Sequence, residues 1–253
     1  MVTVAIVQAR MGSRRLPGKV LADIAGAPMI DRVLARVRAA RLVDAVWVAT
    51  TDQPVDDPLA QHLAARGVPF SRGSEHDVLG RYQMAAAASG ASVVVRVTGD
   101  CPLIDPAVID LVVGAVITQT ETVDYAANVL ERSFPRGLDV EAFTEVALKR
   151  MDRLGITRAA REHVTLGPRV EHPGSFAVRS IRAAEDDSDL RWTVDTADDL
   201  EFVRTAFGVR GVADSSIPYW ELVQWCRAHP EVARRDDHDG TWDPSRSACN
   251  RLT

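Results

Sequence analysis

Ten residues from the start, Arg10-Met11-Gly12-Ser13-Arg14-Arg15-Leu16-Pro17-Gly18-Lys19 sets three arginines, a lysine and two glycines directly after an apolar run, Val2 to Ala9. Guanidinium forks match phosphate oxygens, and glycines let backbone amides approach a ligand closely. The segment therefore reads as a loop that holds a multiply anionic group, with Arg10, Gly12, Ser13, Arg15 and Lys19 as the contacts. A solvated basic surface loop is the plainer alternative. It is not a Walker loop, because five residues separate Gly12 from Gly18 and Val20 follows Lys19. It is not a dinucleotide loop either, since G-x-G-x-x-G is absent and Pro17 opposes a helix starting inside it. Lys19 and Lys149 are the only lysines in an arginine-rich chain, a hint that Lys19 needs a compact ammonium.

Two further residues fit the same chemistry. Asp100, in Thr98-Gly99-Asp100-Cys101-Pro102, and Asp195, in Val194-Asp195-Thr196, each follow a strand-like run. Carboxylates at strand ends hold a hard cation such as Mg²⁺, which in turn neutralises phosphate oxygens. Singly, Asp100 also reads as a turn former and Asp195 as a helix cap. Together with the basic loop they suggest transfer at the phosphorus of a nucleoside triphosphate.

The elements that would bring these groups together are legible from periodicity. Val2 to Ala9, Val46 to Ala49, Val68 to Ser71 and Val93 to Val97 read as strands. Ile30, Val33, Leu34 and Val37 mark one helix face, Leu59 and Leu63 another, and Val78, Leu79, Tyr82, Ala85 and Ala86 a third. Asp105-Pro106 opens a fourth helix. This βαβ series predicts a parallel sheet covered on both faces, whose carboxyl ends share one ligand-binding edge. From about residue 128 to 185 the rhythm changes to an antiparallel excursion. Val123 to Ala127, Gly137 to Phe143, Phe176 to Ile181 and Leu190 to Val194 read as strands. Helices are expected over Thr144 to Leu154, from Thr196 onward, and near Tyr219 to Ala228. Residues 1-229 form one domain in this reading, and 230-253 a polar, loosely held tail.

Bulk properties bound the partners. The net charge of −5 over 253 residues leaves no general basic footprint, which argues against nucleic acid. No apolar run approaches membrane-spanning length, and the start shows no charged leader with an apolar signal region. Cys101, Cys226 and Cys249 are odd in number and lack C-x-x-C spacing, as in a reduced cytoplasmic protein; Cys101 is better read as a packed residue than as a nucleophile.

An ordered set of segments resembles the cytidylyltransferases that make CMP-activated sugars, nearest the SpsF-like branch related to the CMP-ketodeoxyoctulosonate and CMP-sialate synthetases. The segments are Val7-Gln8-Ala9-Arg10-Met11-Gly12-Ser13 with Arg15-Leu16-Pro17-Gly18-Lys19, then Arg72-Gly73-Ser74-Glu75 with Asp77-Val78-Leu79 and Arg81-Tyr82. Thr98 to Ile104, Pro135 to Glu141, Arg161 to Thr165, and Arg191 to Thr196 with Asp198-Asp199-Leu200 complete it. The resemblance implies an α/β nucleotide-diphospho-sugar transferase fold (Rossmann-like, GT-A type), with a mostly parallel sheet and an inserted antiparallel excursion. It implies Mg²⁺ held by Asp100 and Asp195, a triphosphate held by Arg10, Arg15 and Lys19, and Ser74 and Arg81 near base and ribose. It also implies a homodimer, to which the Phe176 region could add an interface strand. Arg14 and His76 depart from the pattern, which expects a small hydroxyl residue and an acid there.

On the acceptor side, Arg136, Asp139 and Glu141 could bind sugar hydroxyls or a carboxylate; Asp139 and Glu141 could equally form the solvent face of a half-buried strand. The expected reaction is attack by a hydroxyl of an acidic sugar on the α-phosphorus of CTP, with pyrophosphate leaving against Arg15 and Lys19. A GT-A glycosyltransferase is the rival, and would usually carry an Asp-x-Asp pair after a strand; a non-catalytic nucleotide-binding protein is another.

Overall fold

The computed structural model describes residues 1–118, 122–209 and 217–235. Cys249 and most of the expected polar tail lie outside these residues.

Strand β1 (Thr3–Gln8) leads through the basic loop to a small hairpin, β2 (Asp23–Ile24) and β3 (Ala27–Pro28). Then follow α1 (Met29–Arg38), β4 (Ala45–Thr51), α2 (Asp57–Ala65), β5 (Phe70–Gly73), α3 (Val78–Ser89), β6 (Val93–Thr98) and α4 (Pro106–Ile117). The second half contains β7 (Tyr125–Ala127), β8 (Glu141–Thr144), α5 (Glu145–Leu154), α6 (Arg158–His163), β9 (Val178–Ser180), α7 (Ala197–Gly208) and α8 (Tyr219–Ala228). Seven strands form one sheet in the order β5-β4-β1-β6-β8-β7-β9. Every pairing is parallel except those of β8, which runs against both β6 and β7. This is an α/β sheet, mostly parallel, with an antiparallel insertion.

The strands are apolar along their length because both faces are covered. Ala5 and Val7 of β1 pack in one core with Ile30, Leu59, Val112, Val203 and Leu222 of α1, α2, α4, α7 and α8. Val4 and Ile6, on the opposite face, pack with Leu79 and Tyr82 of α3 and Leu148 of α5. Period-two alternation thus divides β1 between two layers of helices. Helix starts follow side-chain capping. Asp105 accepts the amides of Ala107 and Val108, and Thr196 forms a capping box with Asp199.

Three expectations are corrected. The strand expected from Gly137 begins only at Glu141. Gly137 has φ +109°, and a Cβ there would lie 2.8 Å from the Trp192 carbonyl carbon, so the chain turns at this glycine under the 190–193 segment. Asp139 folds back into that turn while Glu141 is buried, so the two do not share a solvent face. Second, Leu190 to Val194 is extended but joins the sheet at no named strand. It is the middle rung of a local ladder, bridging Arg136 in parallel on one side and Arg235 in antiparallel on the other. Third, residues 230–235 are not loose. The Arg191 amide donates to the Arg234 carbonyl at 2.9 Å, and Arg234 Nε reaches Asp199 at 3.3 Å.

Candidate active site

The carboxyl ends of β1, β4 and β6 define the edge on which the basic loop sits. The Gly99 amide donates to Gln8 O at 2.8 Å, and a Cβ on Gly99 would lie 2.9 Å from that of Ala9. Only glycine lets the ends of β1 and β6 close this tightly. The loop is pinned from beneath by Asp56, a fully buried carboxylate that accepts the Met11 amide at 2.5 Å and the Thr51 hydroxyl. Gly18 and Ser13 amides both return to the Met11 carbonyl at 2.9 Å. The loop therefore has a fixed shape, ending in a single helical turn whose first residue is Lys19.

Lys19 points inward and is 8% exposed. Its Nζ donates to Asp100 Oδ2 at 3.0 Å, Asp195 Oδ1 at 3.1 Å and the Val194 carbonyl at 2.6 Å. Arg15 reaches the same Asp195 oxygen at 2.9 Å, and Arg191 the other at 2.5 Å. Asp100 is steadied by the Thr98 hydroxyl at 2.6 Å, while its carbonyl accepts the Val194 amide at 2.9 Å. So residues 81 and 176 positions from Lys19 meet at one ammonium. Burial alone would lower the Lys19 pKa, but Asp100 and Asp195 outweigh it and hold it above the ordinary lysine value. Burial likewise opposes ionisation of Asp100, and Lys19 and Thr98 reverse that, leaving its pKa low.

Beside this trio opens a cleft of about 400 Å³. Six arginines (15, 96, 132, 136, 169 and 191) line it against the carboxylates of Asp100, Asp139, Glu141 and Asp195. His163 and Thr193 also line it, and the buried Thr193 hydroxyl has no partner among the described residues. Sequence reasoning missed Arg96, Arg132, Arg169, Arg191 and His163 as site residues. The only available signal was that Arg161 to Thr165 and Arg191 fall within segments already singled out by resemblance.

The expected acceptor residues are placed unequally. Arg136 lines the cleft. Asp139 is gripped by Arg132 through two bonds, 2.6 and 2.9 Å. Burial opposes its charge, but Arg132, Arg136 and the Gly137 amide hold it down to about 2. Glu141 is 2% exposed and serves as a hub. One of its oxygens pairs with Arg96; the other accepts from the Tyr125 and Thr165 hydroxyls at 2.6 Å each, with Arg169 at 3.8 Å. Burial is outweighed by Arg96 and Arg169, so Glu141 stays ionised. It organises the cleft wall and does not offer free oxygens to a sugar. Its Thr165 contact depends on a tight turn after α6, in which Val164 takes φ +48° and the Thr165 amide returns to the His163 carbonyl. Burial, then Arg96 and Arg169, lower the His163 pKa against the pull of Glu162.

Arg10, Gly12, Ser13, Ser74 and Arg81 do not line the cleft. Arg10 pairs with Glu75 at 2.6 Å, joining the basic loop to the β5–α3 loop. Arg81 is buried and braces that loop from below, donating to the Ser74 and Glu75 carbonyls at 2.5 and 3.1 Å. Ser74, Arg14 and His76 are exposed, and Asp77 caps α3 and pairs with Arg161. Cys101 is buried next to Asp100, with its thiol pushed up by burial, so it packs and does not attack.

A doubly covered α/β sheet with a cationic loop and two aspartates at its carboxyl edge defines a nucleotidyltransferase-type fold. The cytidylyltransferase family model matches residues 4–187, and the chain belongs to that family. It is 32% identical over 241 residues to the spore coat polysaccharide biosynthesis protein SpsF of Bacillus subtilis (strain 168), covering 92% of this chain and 98% of that one. It is 32% identical over 237 residues to a 3-deoxy-manno-octulosonate cytidylyltransferase of Anaeromyxobacter dehalogenans (strain 2CP-C), covering 79% and 95%. The solved structure of a cytidylyltransferase from Leptospira borgpetersenii superposes with a TM-score of 0.87 at 30% identity, covering 94% and 99%. No helix among the described residues is long and apolar enough to cross a membrane.

Proposed function

We propose that the protein transfers CMP from CTP to a hydroxyl of a carboxylated, ulosonate-like sugar and releases pyrophosphate. The observation that carries this reading is the meeting of Lys19 with Asp100 and Asp195, two carboxylates that line an arginine-rich cleft. The family supplies the cytidylyl group. Six arginines against four carboxylates in the cleft support an anionic acceptor.

In this reading Arg10, Arg15 and Lys19, with the Gly12–Ser13 backbone, hold the triphosphate and take up charge on the leaving pyrophosphate. Ser74 and Arg81 shape the neighbouring loop toward base and ribose. Arg136 meets the acceptor carboxylate. Asp100 Oδ2 and Asp195 Oδ1 both lie within 3.1 Å of the Lys19 ammonium, and two hard carboxylate oxygens converging on one point suit Mg²⁺. Bound there, the ion would polarise the α-phosphate and favour the deprotonated acceptor hydroxyl. Arg132, by gripping Asp139, and Glu141, by gathering Arg96 and Arg169, fix the acceptor wall before substrate arrives. A second copy of the chain is the expected protein partner, with β9 at the sheet edge as the available strand.

The test is incubation with CTP, Mg²⁺, pyrophosphatase and a panel of ulosonates and neutral sugars, with phosphate as readout. Acceptor-dependent phosphate from an acidic sugar is expected. Phosphate with no member of the panel, or only with neutral sugars, would overturn the proposal.

A further inference from the structure

Lys19 is bonded to its neighbours more completely than a waiting phosphate ligand should be. An ammonium has three donors. All three are used, on Asp100, Asp195 and the Val194 carbonyl, at 2.6–3.1 Å. None is left for a phosphate while the side chain stays there. The acids are occupied in the same way. Lys19 and Arg15 share one oxygen of Asp195 and Arg191 takes the other, while Lys19 and the Thr98 hydroxyl divide Asp100. The oxygens that suit a divalent ion thus already face a cation of the chain itself. A second cation within ~4 Å of a buried ammonium is strongly repelled. Lys19 and a metal ion therefore exclude one another.

We propose that the Lys19 ammonium is the resident counter-ion of the carboxylate pair, and that metal enters only when the incoming nucleotide draws Lys19 onto its phosphates. This rests on the reading of Asp100 and Asp195 as the metal ligands. The residue type fits the task. Lysine is a compact point charge on a flexible four-carbon stem, able to fill an ion's place and to swing away; a planar guanidinium does neither. Only two of the chain's thirty Lys and Arg residues are lysines, and one stands here. Lys19 opens the helical turn that ends the loop proposed to hold the phosphates, so a change of side-chain rotamer would carry its ammonium from the carboxylates toward that loop. The exchange leaves neither the acids nor the ammonium buried without an opposite charge, a state that is strongly disfavoured. Metal and nucleotide then strengthen each other's binding by the same factor.

Mn²⁺ binding, followed by electron paramagnetic resonance without acceptor, tests this. The wild type alone should bind Mn²⁺ weakly, and Lys19→Met should bind it about tenfold or more tightly without nucleotide, within the usual span of such coupling. Adding Asp195→Asn to Lys19→Met should abolish that gain. Thermal melts give a second readout: Mn²⁺ should raise the Tm of Lys19→Met and barely move that of the wild type. If Lys19→Met does not fold, the single variant Asp195→Asn makes the same point. It should leave nucleotide-free Mn²⁺ binding unchanged and weaken binding once CTP is present. Nucleotide-free wild type binding Mn²⁺ as tightly as Lys19→Met, or losing that binding on Asp195→Asn, overturns the proposal. Mn²⁺ binding with CTP that is indifferent to both Asp100→Asn and Asp195→Asn overturns instead the placement of the metal.

Discussion

Asp56 accepts the backbone amide of Met11 at 2.5 Å from a fully buried position, and so ties the exit of β4 to the basic loop. The loop proposed to meet the phosphates is thus held from below by a residue outside the proposed set of contacts. Asp56→Ala leaves the Met11 amide and the Thr51 hydroxyl without their acceptor. Loss of a buried acceptor costs about 1–3 kcal/mol. Urea unfolding should show that loss, and KM for CTP should rise more than kcat falls.

In the proposed mechanism Lys19→Ala removes a positive charge from the leaving pyrophosphate, and Asp100→Ala removes a carboxylate that would hold the metal ion. Removal of one such preorganised contact typically lowers turnover by about 10²–10³-fold. Acceptor-dependent pyrophosphate release should fall that far in each, with circular dichroism unchanged. Near-normal turnover in both would end the assignment.

Asp139 gives the protein an acid-sensitive contact. Its folded pKa, about 2, lies below the ordinary aspartate value of 3.8. A depressed carboxyl stabilises the fold above the unfolded pKa, and that contribution disappears as pH falls from near 3.8 toward 2. Arg132→Met removes the main partner. Its Tm should lie below wild type at pH 6, and the gap should narrow steadily toward pH 2. A constant gap across that range would contradict the assignment.

Glu141 and Arg136 should separate stability from recognition. Glu141→Gln breaks a buried charge cluster with Arg96 and Arg169. Breaking one partner of such a pair typically costs about 3–5 kcal/mol, so Tm should drop sharply. Arg136→Ala should instead raise KM for the acceptor with little change in Tm or in KM for CTP. A reversed pattern would mean that Glu141, and not Arg136, meets the sugar.

Much of this was legible in the residues. Period-two and period-3.6 patterns located β1, β4, β6, α1 and α3, because each is amphipathic or buried in a way that hydrophobicity records. That Asp100 shares an edge with the basic loop followed from the rule that parallel strands end together, since it lies just beyond β6. Asp195 joins it from an extended segment outside the sheet, and the bonding of both to Lys19 left no trace in the sequence. The alternation of Leu138 and Val140 with Asp139 and Glu141 misled, because an ionised residue in a strand pattern reads as solvent-facing. Here Arg96 lies opposite Glu141 in the register and lets the carboxylate be buried. Arg96 was invisible for the same reason, since inside β6 it looked like an interruption of an apolar run. The bond of Asp56 to Met11 spans 45 residues and leaves no local trace.

The rung formed by residues 190–192 bears on how the protein can be cut. The family match stops at residue 187, eight positions short of Asp195, and Arg234 and Arg235 brace that rung from its outer side. Arg234 also bonds Asp199, whose other oxygen accepts the amides of Asp195 and Thr196. A shortened protein ended at Pro230 would therefore retain every strand of the sheet yet let Asp195, the proposed second metal ligand, drift. Its failure would look like a chemical defect although no reacting group had been removed.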